Sequence, residues 1–115
     1  MTSTDVPLLN SVTLRGRLSG EPQERELPSG DRIVTFRIVV PRGPAARRRS
    51  KQTSDVIECV AWTSRLRAKA GRLSGEDTIE VTGALRRRFS RSAGSLASYV
   101  SIELTGCSVL RRSRR

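Results

Sequence analysis

The chain contains no histidine. That removes imidazole as a general acid or base and every histidine-ligated metal site. Cysteine is nearly as scarce: Cys59 and Cys107 stand 48 residues apart, neither a disulfide framework nor a structural zinc site. Aromatic residues make up 3% of the chain: one Trp, one Tyr and two Phe. No apolar run approaches the roughly 18 residues that a membrane span needs. The opening residues MTSTDVPLLN lack a basic stretch followed by an apolar block, so neither a signal peptide nor a membrane anchor is expected. No phosphate-cradling glycine loop and no carboxylate cluster offers a nucleophile–base pair, so no catalytic residue, metal or cofactor is expected. Glu24, Glu26, Glu76 and Asp77 read as solvated edge and turn charges. The expectation is a soluble, cytoplasmic protein that is not an enzyme.

What the chain does have is positive charge. Its 115 residues carry 22 Lys+Arg, of which 20 are Arg, against 11 Asp+Glu, for a net +11. Thirteen of these cations fall in three acid-free groups: Arg42, Arg47, Arg48, Arg49 and Lys51; Arg86, Arg87, Arg88 and Arg91; Arg111, Arg112, Arg114 and Arg115. The remaining nine face 11 acids, leaving a near-neutral body. A surface charged only for solubility intersperses its signs. Segregated cations on a neutral body instead form a footprint for a polyanion, and nucleic acid is the commonest one.

The hydrophobic periodicity is that of strands, with 36% hydrophobic residues, enough for one small core. From Val12 to Leu18 the even positions are Val, Leu, Gly and Leu and the odd ones Thr, Arg and Arg, with Gly16 expected at a bulge or sharp coil. Leu27-Pro28-Ser29-Gly30 is a turn. Asp31–Val40 follows, with Val34, Phe36, Ile38 and Val40 on the core face and Thr35 and Arg37 on the other. Residues 41–54 are polar and basic, an exposed hairpin loop. Asp55–Trp62 is the third strand, with Ile57, Cys59 and Ala61 opposite Val56, Glu58, Val60 and Trp62. Ser64–Leu73 is the one helix candidate, capped by Ser64, with Leu66 and Ala70 on one side. Asp77–Arg88 alternates with Ile79, Val81 and Leu85 inward; Ser90–Ser98 reads as a turn. Tyr99–Leu104 turns Val100, Ile102 and Leu104 inward, and Val109-Leu110 adds a short pairing segment. Five strands with one short helix between the third and fourth is the plan of an all-β OB fold, a five-stranded Greek-key barrel. The expected domain spans residues 1–110, with a basic tail at 111–115.

At this point the residues resemble the bacterial single-stranded DNA-binding protein family. Asn10-Ser-Val-Thr-Leu-Arg-Gly-Arg-Leu18 is similar to that family's opening strand, and Leu27-Pro-Ser-Gly30 with Val34-Thr-Phe36 to its turn and second strand. Asp55-Val-Ile-Glu-Cys-Val-Ala-Trp62 resembles the third strand, which ends in an aromatic. Glu80-Val-Thr-Gly-Ala-Leu-Arg86 resembles the glycine-containing fourth strand, followed by Phe89, and Tyr99 opens the last. The likeness covers roughly residues 8–110. It departs from the family where the loop after the second strand is Arg/Ala/Ser and where Val56 opens the third strand, positions at which the family supplies aromatics. The chain ends Arg-Arg-Ser-Arg-Arg instead of in a Gly/Pro-rich tail with acidic residues, which reads as a short, divergent paralogue. The resemblance implies a homo-oligomer, dimer or tetramer, built around the first strands, with single-stranded DNA as its partner.

Sequence-tolerant binding of a single strand needs flat faces for bases and cations for the backbone. Trp62 is either such a platform or packing in a satellite core or an oligomer interface. Phe89, set in Arg86-Arg-Arg-Phe-Ser-Arg91, either stacks or folds back onto the barrel, and Tyr99 is a third candidate. Phe36 belongs to the core. Arg15, Arg17 and Arg37 either line the groove or are ordinary solvated strand charges. Arg47, Arg48, Arg49, Lys51, Arg86, Arg87 and Arg88 are candidate phosphate contacts. Role in DNA replication, recombination or repair follows from the resemblance; an OB-fold RNA binder and a protein-interaction module that has lost the nucleic-acid face are the alternatives. The strand assignment is testable directly. Ile57→Asp or Val81→Asp buries an uncompensated charge costing about 3–5 kcal/mol, and a thermal melt followed by circular dichroism should lose its cooperative transition.

Overall fold

A computed structural model describes residues 6–92 and 94–113. The chain runs β1 (Val12–Glu26), β2 (Arg32–Pro41), α1 (Pro44–Arg49), β3 (Ser54–Ala61), α2 (Ser64–Gly71), β4 (Thr78–Ser92) and β5 (Ser95–Arg111). The strands β1, β2 and β3 form an antiparallel meander. Its first corner is the expected Leu27–Gly30 turn, where Gly30 sits at φ 93° and donates its N–H to Leu27 O at 2.8 Å. A second antiparallel pair, β4 and β5, joins the meander twice. β4 pairs β1, and β5 runs parallel to β3 through Glu58↔Ser101, Cys59↔Ile102 and Val60↔Glu103. The result is a closed barrel in the order β1-β2-β3-β5-β4, with α2 between β3 and β4, which is the OB fold.

Closure presses strands together at two glycines. At Gly16 a Cβ would stand 2.2 Å from Val39 O, and at Gly83 one would stand 2.1 Å from Glu103 O. Gly16 is therefore a point of close backbone approach, not a bulge; the irregularity in β1 falls later, between Ser19 and Gln23, at Gly20 and Pro22. Inside lie Leu18, Val34, Phe36, Ile38, Cys59, Ala61, Ile79, Val81, Ile102 and Leu104, the inward half of the alternation. Leu66, Ala70 and Leu73 from α2 and the turn after it close one end. Thr63, not Ser64, caps that helix, its hydroxyl accepting from Leu66 N–H. Both cysteines are free and buried, and burial pushes the Cys59 thiol up to about 12.

Several expectations change. Residues 41–54 are not all loop: Pro44–Arg49 forms α1, with proline in its first turn, helix-forming Ala and Arg after it and its arginines at the C-terminal end, where the dipole favours them. β1 continues past Leu18 to Glu26, and the Ser90–Ser98 turn is instead a strand pair reaching to Ser92↔Ser95. Leu85 and Val100 do not point into the core; each is 46% exposed. β1 stops pairing β4 at Val12↔Gly83, so β4 beyond that point leaves the barrel as an arm with β5. Asn10 finishes the edge there, donating to Leu85 O and accepting from Leu85 N–H. Thr35 and Val60, register partners expected on the outer face, are both buried.

Asp77 overturns its reading as a solvated charge, being 1% exposed. Its carboxylate accepts N–H donors from Ser113 at 2.7 Å and Ser74 at 2.9 Å and takes Arg112 at 3.3 Å. It thus ties the start of the expected basic tail to the turn after α2, and Arg111 belongs to β5. Arg114 and Arg115 lie outside the described residues.

Two measurements follow from this packing. Gly83→Ala should lower unfolding free energy by about 3 kcal/mol in a denaturant melt, the upper end of ordinary overpacking, because the blocking atom is backbone. Gly71→Ala, at the end of α2 with open space where its Cβ would go, should instead stabilise by up to about 1 kcal/mol. Separately, the Ser113 and Ser74 N–H donors, with the Arg112 charge, hold the folded Asp77 carboxyl below its ordinary 3.8. Its stabilisation is whole at neutral pH and is lost as pH falls from that ordinary value through the lowered one. Asp77→Asn should therefore flatten the acid limb of the thermal midpoint plotted against pH, leaving the part due to Asp55, which its hydrogen bonds from Arg42 hold low in the same way.

Candidate functional site

A row of register partners crosses four strands on the outer side of the sheet: Arg37 of β2, Glu58 of β3, Ser101 of β5, which is itself covered and buried, and Arg86 of β4. Cross-strand partners share a face, so the row is a consequence of closure. One alternation step along the arm stands a second pair, Arg88↔Tyr99. An open groove of about 590 Å³ lies here, walled by Arg37, Glu58 and Val56 on one side and by Arg88, Phe89, Tyr99 and Val100 of the arm on the other, with Arg25 of β1 at its rim. A second hollow, on Ser19, Gln23 and Thr35 of β1 and β2, shares Arg37 and Glu58 with it.

Two of the three candidate aromatics line this groove with exposed rings. Phe89 is 65% and Tyr99 54% exposed, although both are large and apolar enough to be buried if the fold offered room. The Arg87 guanidinium carbon lies 5.7 Å from the Phe89 ring centroid, and that of Arg88 lies 6.0 Å from the Trp62 ring. Trp62 directly follows β3 and is half-buried; Arg88 links it to the groove, which Trp62 itself does not line. Guanidinium over an aromatic face is a modest attraction of about 0.5–1 kcal/mol at an exposed site. Phe36 is in the core, as its alternation required.

The arginines divide. Arg37 and Arg88 line the aromatic groove, and no ion pair holds either among the described residues. Arg15, Arg17 and Arg86 point outward but are matched by Glu80, Glu76 and Glu103, the last two at 3.0 and 2.9 Å. Arg15 and Arg17 share a different hollow with Arg47. Arg47 is also part of an open basic surface with Arg48, Arg49 and Lys51 around the end of α1. The Arg91 side chain lies outside the described residues. The sequence-chosen cations therefore form two surfaces, one with the aromatics and one without.

Sequence reasoning missed Arg25, Val56, Glu58 and Val100 as groove residues. For Val56 and Glu58 the signal was present, since alternation already set them on the outer face with Trp62. Arg25 was invisible because β1 seemed to end at Leu18. Among the described residues there is no group of three or more Cys, Asp or Glu side chains that could hold a metal, and no helix long and apolar enough to cross a membrane.

Comparison with known proteins gives the following. Residues 9–105 match the model of the Single-strand binding protein family. A "Single-stranded DNA-binding protein" of Halalkalibacterium halodurans is 31% identical over 81 residues, 70% of this chain and 48% of that protein. "Single-stranded DNA-binding protein 3" of Listeria innocua is 35% identical over 81 residues, 70% of this chain and 50% of its own. The chain thus spans about half the length of these curated relatives. Among solved structures, "Plasmodium falciparum SSB complex with ssDNA" aligns with a TM-score of 0.76 at 19% identity, covering 96% of this chain and 100% of that one. The small single-stranded DNA-binding protein from Streptomyces coelicolor gives 0.64 at 18% identity, covering 89% and 95%. At such identities the structural likeness carries the fold.

Proposed function

Because the chain belongs to the Single-strand binding protein family, named for binding and not for catalysis, we propose that it binds single-stranded DNA with broad sequence tolerance. The observation that carries this is the groove in which exposed Phe89 and Tyr99 stand beside the unpaired cations Arg37 and Arg88. Bases stack on the arm's aromatics and on Trp62, while phosphates run along Arg37 and Arg88. Arg87 stacks over Phe89, ready to hand that face to a base. The second basic surface, Arg47–Lys51 with Arg15 and Arg17, extends the backbone track around the barrel. Such a protein works in the cytoplasm on strands exposed in replication, recombination or repair. The binding domain runs past the expected boundary at 110, since Arg111 ends β5 and Arg112 and Ser113 are held by Asp77. The chain assembles as a homo-oligomer, dimer or tetramer; Leu8, 98% exposed, and Leu9 beside it, just ahead of β1, support burial against another copy.

Titration of the Trp62 fluorescence tests this reading. A mixed-sequence single strand should quench Trp62 and do so more strongly than a duplex of equal charge, with a matched RNA strand as the third arm. The affinity should fall with salt at a slope of about −0.7 per phosphate neutralised. Phe89→Ala or Tyr99→Ala should each cost about 1–3 kcal/mol of binding. Arg88→Gln should flatten the salt slope, and Arg17→Gln should flatten it less, because Arg17 is already held by Glu76. Equal response to duplex and single strand would overturn the proposal.

A further inference from the structure

The proposed groove contains one acid, Glu58, in the middle of its wall and flanked by Arg25, Arg37 and Arg88. Five acids, Glu76, Glu80, Glu103, Asp55 and Asp77, each take an arginine, whereas Glu21, Glu24 and Glu26 of β1 take none among the described residues and stand outside this groove. Glu58 takes none among the described residues, although Arg37 is its register partner on β2. Glu58 is partly buried and lines the groove, and a carboxylate that holds no arginine keeps acceptor sites for a ligand.

We propose that Glu58 gives this single-strand site a base preference, accepting hydrogen bonds from the Watson–Crick edge of amino-bearing bases, guanine above all, and disfavouring thymine. The proposal rests on the single-strand reading above and adds a bias in composition to it. A phosphate is repelled by a carboxylate, so the backbone keeps to the arginines and the edge of a stacked base is what Glu58 meets. Tyr99 and Phe89, on the facing wall, hold a base in stacking range of that edge. A carboxylate is acceptor-only. Guanine offers it N1–H and N2–H side by side, a two-point match of the kind arginine makes with carboxylates. Cytosine and adenine each offer an amino group. Thymine sets its single N3–H between two carbonyl oxygens, which the charge repels.

The experiment is fluorescence anisotropy with labelled single strands of equal length. One is all dT, one carries dG at every third position, one dC there, and one hypoxanthine, which lacks only guanine's 2-amino group. Wild-type protein should bind the dG strand about fivefold or more tighter than all-dT, with hypoxanthine and dC between them. Glu58→Gln, whose amide can donate to thymine O4 as well as accept, should bring the dG/dT ratio near one, chiefly by strengthening dT. Arg37→Gln should weaken every strand alike and leave the ratio standing. The hypoxanthine arm needs no variant, so the result does not depend on how Glu58→Gln folds. A dG strand no tighter than dT in wild type, or a ratio untouched by Glu58→Gln, overturns the proposal and leaves single-strand binding intact. Equal strengthening of all strands by Glu58→Gln also overturns it, reducing Glu58 to a repulsive charge. Failure of every strand to bind removes the single-strand reading and this inference with it.

Discussion

Everything in this molecule depends on β1 hydrogen-bonding to two neighbours at once. Arg17 is the register partner of Val39 on β2 and of Thr78 on β4. A ring of only five strands is tight, and the side chain removed at Gly16 is what lets Val39 come close enough for that double pairing. Gly83 does the same between β4 and β5. Closing the ring removes the exposed sheet edges that would otherwise pair with other chains, and leaves the paired arm of β4 and β5 as the projecting element.

That geometry accounts for the division of labour on the surface. Arg15 of β1 and Arg86 at the root of the arm stand beside acids on neighbouring strands and are matched to Glu80 and Glu103. Farther along the arm, Arg87 and Arg88 hold no ion pair among the described residues, and the aromatics there have no core to enter. Charge and flat apolar faces therefore remain available together in the groove between β3 and the arm. Of the chain's four aromatics one is spent in the core, which leaves three for the proposed single-strand surface.

The alternation of Val34, Phe36 and Ile38, or of Ile79 and Val81, made the barrel legible, because burial on one face of a strand leaves a period of two. The same signal misled at Leu85 and Val100, since alternation marks a face without marking where the ring ends. The helix α1 escaped notice because it buries no residue and so has no apolar stripe to leave a trace. A turn acid such as Asp77 looks the same whether solvated or buried; only the arrival of Ser113 and Arg112 from 36 and 35 positions away decides it. Glu58 sat in plain view on the outer face of β3, but an acid among arginines does not announce a nucleic-acid contact.

The parallel seam between β3 and β5 is three register pairs long, against seven or more for the antiparallel pairs on β2. It joins residues more than 40 positions apart, whereas the meander and the arm each close locally. Like the β1–β4 seam, which joins residues still farther apart, it closes a long loop, and loop-closure entropy puts both seams after the two halves. The groove straddles the β3–β5 seam, with Glu58 and Val56 on one bank and Tyr99 and Val100 on the other. A polymer lying in it would touch both halves and brace the shorter of the two seams that join them. Under the proposed function, ligand occupancy and the integrity of the ring would then be one equilibrium, a strand in the groove holding shut the part of the barrel with the fewest register pairs.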